Sequence, residues 1–396
     1  MKDATRCVVH PEVSYEGYAS LSVPTCRAST IVFPDGAGYA SRSERDLDSY
    51  SYGLHGTPTT RTLEAQVAVL EDGQKTVLLP SGLSAITVVM LTTLQPGDSI
   101  LIPETAYSPV ARFCEHFLKP MGISYQVYDP LLGAEIASLI DASTRLVWTE
   151  SPGSATMEVQ DIPAIVDAAH ASGALVACDN TWATPLLFKP LTVGVDFSIQ
   201  ALTKYASGHS DLLMGAVTVR DLDLRARLRK TMLLLGLGVA PDTASLVLRG
   251  LESMGARLAH VGRVALDFAH RLEAELEGCA VRHPALATCP GHAEWRRDFA
   301  GASGLFSVML PPACETRLED ALRELRTFVI GASWGGTRSV LAPMRVKRSR
   351  PLSANLRDGL LLRISIGLED PEDLWTDLEK VMRGLGVWHA PSPGTE

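Results

Sequence analysis

The chain has 396 residues, too many for one ordinary hydrophobic core, so two or three domains are expected. With 46% hydrophobic and 20% charged residues it has the composition of a soluble globular enzyme. A net charge of −9 argues against a nucleic-acid binder, which normally presents a basic face. The one basic cluster, Arg345-Val346-Lys347-Arg348-Ser349-Arg350, reads as a solvated surface loop. Met1 to Arg6 carries no apolar signal core. No segment approaches the ~20 apolar residues of a membrane span. The expected compartment is therefore the cytoplasm. The seven cysteines form no CxxC pair and the ten histidines no HExxH spacing, which predicts reduced thiols and no metal site.

Residues 1 to about 60 are rich in Ser, Thr, Tyr, Gly and Pro and lack periodicity. They read as an extended arm with short helical pieces, of the kind that packs on a neighbouring subunit. A regular alternation follows. Leu63, Val67 and Leu70 recur at helical spacing within 62–71, and Gly73 lies just past the end. The run 76–79 is strand-like, Pro80-Ser81-Gly82 turns the chain, and 83–94 reads as a buried helix broken at Pro96-Gly97-Asp98. Further strands are expected at 99–102, 145–149, 174–178 and 195–200, with a helix at 161–171. Strands alternating with helices imply a mostly parallel sheet covered on both faces. Such sheets bind ligands beyond the carboxyl ends of their strands. A long helical pattern at 241–276 links this region to a smaller α+β domain. There 305–310 and 360–365 are strand-like, 316–328 and 371–385 are helical, and 389–396 reads as a loose tail.

Two strand ends carry chemistry. The chain has only eight lysines, most in polar or turn-like surroundings. Lys204 instead follows the apolar run that ends at Gln200. A lysine held at the end of a buried strand loses its proton readily and can form a Schiff base with an aldehyde cofactor. Twenty-five residues earlier, Asp179 follows another apolar strand, where a carboxylate can pair with a pyridinium nitrogen, as pyridoxal phosphate (PLP) requires. Taken singly, these residues also have plain readings. Asp179 would serve as a helix cap, Tyr107 and Trp334 as core, and Arg363 as a surface ion-pair partner. The Gly236-Leu237-Gly238 pair does not complete a dinucleotide fingerprint.

Nine blocks between about residues 15 and 385 change that balance by their order and spacing. They are Gly56-Thr57-Pro58-Thr59, Pro80-Ser81-Gly82, Glu150-Ser151-Pro152-Gly153-Ser154, Asp179-Asn180-Thr181-Trp182-Ala183, Thr203-Lys204-Tyr205 with Gly208-His209-Ser210-Asp211, Arg297-Asp298-Phe299, 301–306, Ser333-Trp334-Gly335-Gly336, and 363–370. With them the chain resembles the Cys/Met-metabolism (trans-sulfuration) family of PLP-dependent enzymes, nearest its bacterial cystathionine β-lyase branch. The resemblance implies PLP fold type I, aspartate-aminotransferase-like: an α/β protein with a mostly parallel seven-stranded central sheet and a smaller C-terminal α+β domain. It divides the chain into an arm (1–60), a PLP-binding domain (61–255) and a small domain (256–396), assembled as a homotetramer of two dimers.

The resemblance also implies roles. Lys204 would carry PLP and then act as proton carrier. Asp179 would keep the pyridine nitrogen protonated. Tyr107 would stack on the ring. Gly82 and Leu83 would offer backbone N–H groups to the phosphate at a helix N-terminus, with the Thr203 hydroxyl beside them. Tyr52 would reach the phosphate region of a neighbouring subunit. Arg363 would clamp the α-carboxylate of a sulfur amino acid, and Ser333 and Trp334 would line the substrate side. The implied reaction is cleavage of cystathionine or a related cysteine thioether to a thiol, pyruvate and ammonia. The tryptophan after Ser333 favours β-elimination over γ-elimination or γ-replacement on homoserine-derived substrates. A PLP-binding regulatory protein without turnover is the reading from another class.

Four positions depart from the family pattern. Leu54 stands where an arginine usually grips the cofactor phosphate across the subunit boundary, with His55 and Arg61 as candidates to compensate. Ala332 replaces a tyrosine before Ser-Trp-Gly-Gly. Arg338 replaces a glutamate after it, a reversal expected to alter the substrate entrance. Arg112 stands where an acidic or neutral residue is common.

Overall fold

The computed structural model describes Ser14 and residues 16–346 and 359–389. Among the described residues of the arm, short turns of helix form at Gly36–Ala40, Ser41–Ser43 and Gly53–His55. The arm is tied down by polar contacts. Thr59 Oγ1 accepts the Cys26 N–H and donates to the Pro24 carbonyl, Arg27 pairs with Asp242, and Asp48 meets Arg61, Lys75 and Arg225. Tyr18, Leu21, Val32, Tyr39 and Tyr52 stay exposed along it.

Helix α1 (Pro58–Leu70) starts four residues before the hydrophobic spacing becomes visible, because Thr57 and Thr60 form a reciprocal capping box and Pro58 fits the first turn. It leads into β1 (Lys75–Leu79) and α2 (Gly82–Thr93), the latter capped by the same device from Ser81 and Ser84. Strands β2 (Ser99–Pro103), β3 (Ser124–Tyr128), β4 (Thr144–Glu150), β5 (Leu175–Asp179), β6 (Phe197–Gln200) and β7 (Gly215–Val219) complete a seven-stranded sheet of order β1-β7-β6-β5-β4-β2-β3. All neighbours are parallel except β7, which runs antiparallel to both β1 and β6. Helix α3 (Ile162–Ala171) is capped by Asp161 and buries Ile162, Ile165, Val166 and Ala169, while α4 (Leu222–Leu234) packs against α2.

Helix α5 (Pro241–Glu275) spans 35 residues, about 50 Å. Val247, Met254, Leu258, Val261, Ala265, Phe268 and Leu272 form its buried stripe. At Gly250 a Cβ would stand 2.3 Å from the Ala206 carbonyl oxygen, so only glycine lets the helix pass this close to the chain beyond Lys204. A second sheet follows, of order β10-β11-β12-β9-β8: β8 (Ala280–Arg282), β9 (Leu305–Leu310), β10 (Val329–Ile330), β11 (Val340–Arg345) and β12 (Leu360–Ser365). The amphipathic α6 (Pro371–Leu385) closes it. The fold is therefore the expected α/β architecture with a mostly parallel seven-stranded sheet and a smaller sheet. Among the described residues no helix is long and apolar enough to cross a membrane.

The helix expected at 316–328 is shorter: a 3-10 turn at Pro312–Arg317 and an α-helix at Leu318–Arg323. The buried Asp377 carboxylate accepts the backbone N–H groups of Arg326, Thr327 and Phe328, which draws that segment off the helix path. Arg345, exposed, ends β11 and Val346 is buried, so the basic cluster begins on a strand, and its remainder, 347–350, lies outside the described residues. His389 donates its N–H to the Glu275 carbonyl, and the rest of the expected tail also lies outside them.

Candidate active site

Four adjacent parallel strands deliver the site. In sheet order, Lys204 follows β6, Asp179 ends β5, Glu150 ends β4, and Tyr107 follows β2. The second sheet supplies the opposite wall through Arg363 on β12 and Ala332, Ser333 and Trp334 between β10 and β11. Between them lies an open cavity of about 220 Å³.

Lys204 Nζ donates to Ser333 Oγ at 2.7 Å and stands 5.1 Å from the Trp334 ring centroid. Burial, and then the Arg363 charge, bring its pKa down to about 8 against the opposing pull of Asp179. Asp179 is buried, which raises its pKa. Thr181 opposes that by aiming two donors at Oδ1, its N–H at 3.0 Å and its hydroxyl at 2.6 Å. The same hydroxyl accepts the Ala201 N–H, which couples the carboxylate to the Lys204 loop.

The floor comes from α2. Gly82 and Leu83 precede the first intrahelical bond, which the Ala85 N–H makes to the Ser81 carbonyl, so their N–H groups are those a helix N-terminus offers to an anion. A Cβ at Gly82 would come 2.6 Å from Ala201 Cβ. Arg363 is buried and donates to the Ala332 carbonyl at 2.6 Å. Behind the site, the fully buried Glu71 accepts from Ser198 Oγ and Gln200 Nε2, both at 2.9 Å, and Gln200 Nε2 also donates to the Asn180 carbonyl.

Lys204, Asp179, Tyr107, Gly82, Leu83, Thr203, Trp334 and Arg363 all line this cavity, and Ser333 touches it through Lys204. Thr203 is held by its own backbone surroundings: its hydroxyl donates to the Met214 carbonyl and accepts the Met214 N–H. Tyr52 does not line the cavity of its own chain and packs edge-on against His55. Arg338 does not line the cavity; it bonds Glu369 and the Thr327 carbonyl. Leu54 fills the space over Gly238, where a Cβ would stand 2.7 Å from its Cδ1. Arg61, a candidate to replace the missing arginine, is committed to Glu64, Asp48 and the His55 carbonyl. Glu150, Thr181 and Trp182 also line the cavity and were not singled out by residue type alone. The signal for Glu150 was present: like Asp179, it is an acid at the end of an apolar strand.

The family model described as Cys/Met metabolism PLP-dependent enzyme matches residues 4–383. The chain is 38% identical over 361 residues to cystathionine beta-lyase MetC of Escherichia coli (strain K12), covering 89% of this chain and 91% of that protein. It is 37% identical over 384 residues to an L-alanine/L-glutamate racemase of Wolbachia pipientis wMel, covering 94% of both. Among solved structures, cystathionine gamma synthase from Xanthomonas oryzae pv. oryzae in complex with cystathionine superposes with a TM-score of 0.85 at 32% identity, over 93% of this chain and 95% of that one.

Proposed function

The chain belongs to the Cys/Met metabolism PLP-dependent enzymes, and from that premise we propose that its cavity is the active site of a carbon–sulfur β-lyase acting on cystathionine or a related cysteine thioether. The residues present fit PLP. They pair a half-buried amine of lowered pKa with a buried carboxylate, and they place glycine where a helix N-terminus meets the cavity floor. When bound, PLP supplies the sink for the electron pair left at the substrate Cα.

In this reading Lys204 would hold the cofactor through Nζ, and its amine would take the substrate Cα proton. Ser333, in hydrogen-bond contact with Nζ, orients that amine. Asp179 would keep the ring nitrogen protonated, Tyr107 would stack on the ring, and Gly82 and Leu83 would hold the phosphate, with Thr203 and a neighbouring chain's Tyr52 beside it. Arg363 binds the α-carboxylate, and Trp334 lines the substrate side. The Cβ–S bond breaks with its electrons on sulfur, which takes up a proton and leaves as a thiol. The remaining aminoacrylate hydrolyses to pyruvate and ammonia.

The observation that carries this reading is the meeting of Lys204, Asp179 and Arg363 in one cavity. It is tested by incubating the holoenzyme with cystathionine, S-alkyl cysteines, homoserine esters, L-alanine and L-glutamate while reading keto acid, thiol and amino-acid enantiomers. Pyruvate with thiol is expected. 2-Oxobutyrate would move the assignment to γ-elimination, D-alanine or D-glutamate from the L-form to racemisation, and no turnover to a binding role. Lys204→Ala should abolish both turnover and the visible cofactor band.

We assign residues 61–255 to the cofactor-binding domain and 256–396 to the small domain, a boundary inside α5, and place the enzyme in the cytoplasm with no nucleic-acid or membrane partner. The exposed aromatic and aliphatic residues of the arm support a homotetramer of dimers in which residues 1–60 pack on a neighbour. Light scattering would check the mass.

A further inference from the structure

β4 and β5 end side by side, and each ends on an acid, with Glu150 opposite Asp179 in the strand register. Neighbouring strands lie about 4.8 Å apart. Both side chains are buried and both line the cavity. Two carboxylates so placed share a site in which ionising one disfavours ionising the other.

The donors around them are unequal. Asp179 receives the N–H and the hydroxyl of Thr181 on one oxygen and lies within the field of Lys204. Glu150 Oε2 accepts the Tyr107 N–H at 2.7 Å, and the Ser154 hydroxyl is its other polar contact. Burial raises the Glu150 pKa well above the usual carboxylate range, and the neighbouring Asp179 charge adds to it. The other charged groups lining the cavity, Lys204 and Arg363, come from the loop beyond β6 and from β12, on the far side of Asp179 or across the cavity.

Resting on the β-lyase reading above, we infer that Glu150 is a positioning residue: it holds the proton of the pair, fixes the Tyr107 backbone through its accepting oxygen, and leaves the negative charge on Asp179. Tyr107 is 44% exposed and lines the cavity, and its backbone N–H is anchored on Glu150. A charge confined to Asp179 serves the ring nitrogen, whereas a second charge on Glu150 would raise the proton affinity of every cation in the site.

The test compares Glu150→Gln and Glu150→Ala as holoenzymes by PLP retention on dialysis and by the pH titration of the visible cofactor band, with thermal melting of both apoproteins alongside. The glutamine amide is neutral and still accepts the Tyr107 N–H, so E150Q should keep the wild-type titration and retention. E150A strands that N–H and should weaken PLP about ten-fold. A shift of the E150Q titration by about a unit to lower pH would show that the wild-type side chain is ionised, and would overturn the inference. So would an E150A protein that melts lower but retains PLP and titrates as wild type, since that marks a structural role alone. Failure of the underlying reading looks different: wild-type protein reduced with borohydride would then carry no pyridoxyl label on Lys204.

Discussion

The Lys204 amine has a hydroxyl at 2.7 Å, an indole face at 5.1 Å and a guanidinium across the cavity, and these surroundings decide when it becomes a nucleophile. With its pKa at about 8, the apoprotein should capture pyridoxal phosphate at a rate that rises with pH through about 8, well below the 10.5 of a free lysine. Arg363→Gln removes the repelling charge and should move that midpoint upward; stopped-flow absorbance against pH reads both values, and an unmoved midpoint would remove Arg363 as a cause. Leu54→Arg should tighten PLP retention, since one charged hydrogen bond adds roughly 1.5–3 kcal/mol. That is about ten- to a hundred-fold in affinity by dialysis, if an arm from a second copy faces the phosphate. Residue chemistry was legible where a reactive type stood alone at a strand end, as at Lys204 and Asp179. It was not legible where direction mattered. Arg338 bonds Glu369 and does not line the cavity, and nothing in a linear pattern announces a partner 31 residues on.

At the scale of elements, two contacts can be broken separately, one at the cavity and one away from it. Gly82→Ala puts a Cβ 2.6 Å from Ala201, so α2 must move off the Lys204 loop, at a cost of about 1–3 kcal/mol. PLP affinity should fall along with the apoprotein melting temperature. Asp377→Ala strands three backbone N–H groups and should destabilise by about 3 kcal/mol or more, as measured by urea unfolding, while PLP binding changes little. The same carboxylate explains why 316–328 misled a reading by periodicity. The apolar spacing is helical, but a tertiary acceptor claims its last N–H groups. Strands β3, β7, β8, β10 and β11 escaped notice for a related reason: each takes its identity from the partner it pairs with more than from its own pattern.

Across the whole molecule, Glu71 ties α1 to the β6 end and, through Gln200, to the backbone beyond Asp179. Burial pushes its carboxyl up to about 7. The native protein therefore holds this proton to higher pH than the unfolded chain, which releases it near 4.5. Stability from this group is fully present below the unfolded value and is lost as pH rises through 7. Between pH 5 and 8 the wild-type protein should lose about 2 kcal/mol more than Glu71→Gln, read from urea unfolding at the two pH values. Equal losses would mean that Glu71 is ionised throughout.

Two sheets share the cavity unequally. Lys204, Asp179, Glu150, Tyr107 and the α2 terminus belong to the seven-stranded sheet, while Ala332, Trp334 and Arg363 ride on the five-stranded one. Selectivity can thus drift, or be bred in the laboratory, on one half while the vitamin-holding half stays as it is. A combinatorial library restricted to positions 332 and 334 should yield a population that is uniformly yellow and diverse only in which thiol it liberates.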